Sequence, residues 1–161
     1  MTMRIPLALL LTAATLLCDP ASLCAKDIPY RKLGSVVQKT IGENLAGGHV
    51  DEIKVIRIDD RTLYVVEIDL PGRRERKIHI AGDGKLLKIV DELRPHDLPQ
   101  GVRATIDATL SRGGRLESVD RITIDGKVEY HLELDLPKGV ELNLIVDESG
   151  LVLSRTEESK F

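Results

Sequence analysis

The chain of 161 residues is 42% hydrophobic and 30% charged, the balance of a sequence that folds rather than stays disordered. One Phe, three Tyr and no Trp argue against stacking platforms for single-stranded nucleic acid or carbohydrate. A net charge of −3 without a basic patch leaves little to neutralise phosphates, so no nucleic-acid partner is expected.

The N-terminus reads as an export leader. Arg4 supplies a positive charge, and Ile5 to Leu17 form an apolar run of 13 residues, too short to span a bilayer. Ser22-Leu23-Cys24-Ala25 is a small-residue exit before charge resumes at Lys26, which places cleavage after Ala25. The expectation is a signal peptide over 1–25, a periplasmic or secreted product, and no stable membrane insertion once the leader is removed. Leu17 and Leu23 stand where a lipobox wants a small residue before Cys18 or Cys24, which argues against lipidation. With both cysteines removed, neither a disulfide framework nor thiol chemistry is expected.

Beyond the leader the sequence repeats itself. From a Gly-Gly pair onward, one constant offset of 66 carries Gly47-Gly48 onto Gly113-Gly114, Tyr64 onto Tyr130 and Glu67 onto Glu133. The same offset carries Asp69-Leu70-Pro71 onto Asp135-Leu136-Pro137. Val37, Ile41 and Leu45 recur at helical spacing, and Gly47 is placed to end that helix. Alternation then takes over. Tyr64, Val66, Ile68 and Leu70 face one way and Glu67 and Asp69 the other, with further strands expected at 53–58, 77–81 and 85–90. Asp59-Asp60, Pro71-Gly72 and Asp83-Gly84 mark the turns. A Pro-bearing stretch at 94–99 reads as a linker, and Pro99 as the opener of a second helix striped by Val102, Ile106 and Leu110. Strands at 119–124, 130–136, 141–146 and 151–155 follow.

The expected fold class is therefore α+β: two tandem repeats, at 26–93 and 100–161, each a helix followed by a four-stranded antiparallel meander. The helices should pack on one face of the sheet and leave a charged face open to water. A unit of about 60 residues is marginal alone, so the two should share one core or one sheet in a single compact body.

At this point the sequence resembles PepSY-like domains, related in shape to the β-lactamase-inhibitor-protein fold. The resemblance rests on Val37/Ile41/Leu45, Tyr64-Val-Val-Glu67 and Asp83-Gly-Lys-Leu-Leu87, with Val102/Ile106/Leu110, Tyr130-His-Leu-Glu133 and Ser149-Gly-Leu-Val-Leu153 in the second copy. It implies an exported binding or inhibitory module, of a kind often proposed to act on peptidases. The partner is left open, since fold analogy does not assign one.

Chemistry is sparse. His49, His79, His96 and His131 fall in no ligand spacing and read as scattered surface imidazoles, and a metal site would need three converging ligands. Glu67, Asp69, Glu133 and Asp135 could form acid/base pairs or a calcium site. Residues two apart on a strand lie about 7 Å apart, wide for a shared proton, and Lys54, Arg57, Lys77 and Arg121 offer cross-strand cations instead. Arg73, Arg74, Arg76 and Lys77 crowd one hairpin whose counterpart, Gly139 to Asn143, carries only Glu141. That hairpin reads as a contact loop for an acidic partner or anionic lipid, or as a solvated turn that blocks edge pairing.

No catalytic residue, metal ligand or cofactor is expected. The leading expectation is a non-enzymatic module binding another envelope or secreted protein, through these carboxylates and the basic hairpin. The alternative is a small-ligand or metal-ion binding periplasmic protein; a hydrolase is least favoured, for want of a nucleophile–base pair. Oligomeric state is left open.

Overall fold

A computed structural model describes residues 26–160. The expected leader, 1–25, and the cleavage after Ala25 lie outside the described residues.

The described residues begin with a two-residue strand, β1 (Lys26–Asp27), and a 3-10 turn at Tyr30–Lys32. Helix α1 (Ser35–Asn44) is followed by β2 (His49–Ile58), β3 (Arg61–Leu70), β4 (Arg74–Ala81) and β5 (Leu86–Glu92). A second 3-10 turn, Pro95–Asp97, leads to α2 (Gln100–Leu110). Then come β6 (Arg115–Ile124), β7 (Lys127–Leu136), β8 (Val140–Val146) and β9 (Val152–Ser159).

The nine strands of the described residues form one antiparallel sheet in chain order, β1 to β9. The molecule is mostly β, which corrects the expectation of an α+β body built as two tandem helix-plus-meander repeats. The reason is a long-range pairing. Ile89 to Glu92 of β5 lie in register with Thr123 to Asp120 of β6, so hydrogen bonding runs across the middle of the molecule without interruption. Two helices of 10 and 11 residues cover only part of such a sheet. The strands are also longer than their apolar cores suggested, because polar residues such as His49 and Arg115 continue the ladder beyond the buried positions.

Alternation assigns the faces. Under α1, Val37 and Ile41 pack on Ile53, Val66, Ile68, Ile78 and Ile80. Under α2, Val102 and Ile106 pack on Val119, Leu132, Leu134, Leu142 and Leu144. Burial of each such side chain contributes about 1.5–3 kcal/mol, so these two clusters dominate the stability. The short stretch between β5 and α2 joins in, since Leu98 is buried in the second cluster.

Where the two clusters meet, the helix side of the sheet is polar. Asp91 is 4% exposed. It accepts from Arg76 Nε at 2.6 Å and Nη2 at 3.3 Å, and from Arg121 Nη2 at 2.7 Å. Arg76 also donates to the Asn44 carbonyl at the end of α1, at 3.1 Å. Burial raises the Asp91 pKa, but the hydrogen bonds from Arg76 and Arg121 outweigh it and hold the carboxyl below its ordinary range. Arg121 Nε is buried at this junction without a hydrogen-bond partner among the described residues, a cost charged against the ion pair.

Candidate functional site

Among the described residues no helix lies on the opposite face of the sheet. The pleat of β3 sends Glu67 and Asp69 to it while Val66, Ile68 and Leu70 enter the core; β7 does the same with Glu133 and Asp135. These carboxylates are mostly occupied by their own chain. Glu67 pairs with Lys77 at 3.1 Å and Lys54 at 3.7 Å, and Asp69 with His49 at 3.5 Å. Glu133 accepts from Ser118 Oγ at 3.1 Å. Asp135 is held below its ordinary pKa by Lys160 first and by Arg115, at 2.8 Å, second.

The basic hairpin between β3 and β4 divides its charges. Arg73 sits exposed at the tip with φ of 59°, next to Arg74. Arg76 turns to the helix side and is consumed by Asp91. Lys77 turns to the open face, where hydrogen bonding to Glu67 raises its pKa. Of the cations expected to screen the open-face acids, Lys54 and Lys77 do so, whereas Arg121 lies on the other face with Asp91.

Register brings together acids that are far apart in sequence. Asp69 pairs with Glu75 across β3 and β4, and Glu92 pairs with Asp120 across β5 and β6. Because Arg76 is opposite Asp91, Glu75 and Glu92 are also neighbours. Asp69, Glu75, Glu92 and Asp120 thus form a strip across four adjacent strands, ending at His131, the partner of Asp120 on β7. A hollow of about 220 Å³ lies between Glu75, Lys77, Val90, Glu92, Ser118 and Asp120. A second, of about 340 Å³, shares Ser118 and Asp120 and extends past His131 and Glu133 to Thr156 on β9. Burial raises the Asp120 pKa, Glu92 raises it further, and His131 and Lys77 offset part of the effect. On the same face burial, Lys88 and Lys77 push the His79 imidazole below its usual value.

Glu75, Glu92 and Asp120 were not singled out from the sequence. Their only signal was alternation within β4, β5 and β6; their juxtaposition depends on the β5–β6 register. Among the described residues no group of three or more His, Cys, Asp or Glu is placed to hold a metal ion. Among the same residues no helix is long and apolar enough to cross a membrane.

No protein-family model matches the chain, and no curated protein matches it in sequence. Solved structures do match in shape. A BLIP-like protein from Bacteroides fragilis superposes with a TM-score of 0.62 at 15% identity, over 83% of this chain and 90% of that one. The fold is BLIP-like. Two DUF2874 family proteins share it. The one from Bacteroides uniformis has a TM-score of 0.61 at 12% identity, covering 77% of this chain and 88% of its own. The one from Bacteroides ovatus has a TM-score of 0.60 at 12% identity, covering 80% and 90%. At such identities the BLIP-like fold is what is shared, and no site residue transfers with it.

Proposed function

We propose that the chain is an exported, non-enzymatic binding module that docks another envelope or secreted protein on its open sheet face. The observation that carries this reading is the strip Asp69–Glu75–Glu92–Asp120, flanked by Glu67 and Glu133, on a broad face that no helix of the described residues covers. Such a surface suits a partner that presents basic and polar side chains, with acids steering the encounter and fixing orientation. Arg73 and Arg74 at the hairpin rim, and Asp135 at the other end, supply contacts that set register on the partner. A peptidase is one class of partner consistent with the BLIP-like fold. A neighbour from Bacteroides eggerthii, with a TM-score of 0.60 at 13% identity, is named a candidate periplasmic protein, which supports an envelope location here.

The test is capture from the native envelope fraction with the purified chain as bait, read by mass spectrometry. Asp69, Glu92, Asp120 and Glu133 reversed to Lys should lose whatever the parent chain captures. Glu43→Lys, on the exposed surface of α1, should retain it, and capture should weaken as salt rises. Equal capture by the parent and the four-site variant, with both folded, overturns the reading.

A further inference from the structure

The last strand of the sheet is exposed along its whole length: every one of the 8 residues of β9, Val152 to Ser159, is solvent-accessible. Among the described residues no strand pairs with its outer edge, because β9 ends the sheet. At the opposite end, by contrast, β2 is partly covered by β1. β9 has neither Pro nor Gly, and it opens with Val152, 44% exposed, and Leu153, 51% exposed; its edge protection is a bulge near Val152 and the charges Arg155, Glu157 and Glu158, which the pairing below neutralises.

We propose that β9 pairs with β9 of a second copy about a two-fold axis at Thr156, extending the sheet through a symmetric dimer. Three observations converge on this register. The first is backbone direction. Lys160 N–H donates to Gly139 O at 2.9 Å, so alternation turns the backbone groups of Glu158, Thr156 and Ser154 toward β8 and those of Glu157 and Arg155 outward. Residues of odd number must therefore face residues of odd number on the other copy.

The second is charge. Placing Arg155 opposite Arg155, or Glu157 opposite Glu157, sets like charges against each other. Placing Arg155 opposite Glu157 joins two opposite-charge pairs related by the axis, with Thr156 against Thr156 between them and Ser154 against Glu158 beyond. The Arg155–Glu157 ion pair within each strand then becomes half of a four-charge cluster of alternating sign. That cluster forms on the helix side, where Arg155 and Glu157 border a hollow shared with Thr109 and Arg112 beside α2.

The third is precedent inside the molecule. The offset that carries Gly84 onto Gly150 carries Asp91 onto Glu157, and Asp91 meets an arginine, Arg121, directly across the β5–β6 pairing. In the dimer Glu157 meets Arg155 of the second copy in the same manner. Arg155 and Glu157 lie on the helix side, away from the acidic strip of the open face, so loss of one activity leaves the other measurable.

The experiment is sedimentation velocity on the chain purified after expression of the full-length sequence, across a concentration series. The parent should shift reversibly from monomer to dimer. Arg155→Glu and Glu157→Arg alone should each weaken self-association roughly tenfold or more, from repulsion across both pairs. Mixed together, the two variants should form a heterodimer, because each supplies the charge the other lacks. Glu157→Pro removes an outward N–H and should block pairing without disturbing β8–β9, which circular dichroism checks independently. A parent that stays monomeric at all concentrations overturns the proposal. So does a dimer indifferent to these variants, or a variant mixture that does not associate.

Discussion

Asp91 shows how much one residue's meaning depends on its strand pairing. In sequence it is an acid in a Val-Asp-Glu run just ahead of the Pro-bearing linker, indistinguishable from surface charge. In the folded chain it is the one strongly buried acid among the described residues, bound by Arg76 and Arg121. Asp91→Ala leaves both guanidinium groups facing a buried gap and is expected to cost about 3 kcal/mol in chemical denaturation. The sign with pH follows from its lowered pKa. The stabilisation is fully present above the carboxyl's unfolded value and is lost as pH falls through the folded one, so the parent's advantage over Asp91→Ala should fade in acid. Asp120 runs the opposite way. Its pKa is raised by burial and by Glu92, which lies directly opposite, so its charged form opposes folding at neutral pH. Asp120→Asn should stabilise the protein by about 0.5 kcal/mol at neutral pH, an advantage that shrinks as pH is lowered and Asp120 protonates.

At the scale of elements, the change from helical to alternating periodicity made each helix and most strands legible, because both signals are local. The sheet's outline was not. Nothing within 89–92 or 120–123 announces that these segments pair, and a two-residue strand such as β1 has no pattern to detect. Arg76 was read with its hairpin neighbours because a run of charges conceals which of them faces the core side. How the helices are seated was equally hidden. The Gly101 and Gly150 backbones touch directly: a Cβ built on Gly150 would stand 2.2 Å from the Gly101 carbonyl oxygen, and Gly150 has φ of +89°. Thr105 Oγ1 donates to the Gly150 carbonyl at 2.7 Å, locking the start of α2 onto the β8–β9 turn. Gly150→Ala meets both a strained conformation and a backbone collision, and is expected to lower stability by about 2 kcal/mol or more in thermal unfolding. Gly126→Ala, at a turn with open space around it, carries the conformational strain alone and should cost less.

For the molecule as a whole, the β5–β6 pairing ties two apolar clusters into one sheet with a polar clamp at the junction. Heat should therefore unfold the chain in one transition, with calorimetric and van't Hoff enthalpies equal; two separable transitions would show that the halves fold apart. The same continuity builds the candidate site, since the acidic strip crosses from β3 to β6 and exists only if the halves share a sheet. Sequence located the carboxylates of β3 and β7, which alternation places on the open face. It could not locate the strip, which is a product of register. The measurement that tests the binding-face account most directly is carboxylate footprinting of the chain in its native envelope fraction against the purified chain. Glu75, Glu92 and Asp120 should be protected from labelling in the envelope while Glu43 and Asp107, on the helices, label equally in both. Equal labelling of the open-face acids in the two samples would contradict the assignment of that face to a partner.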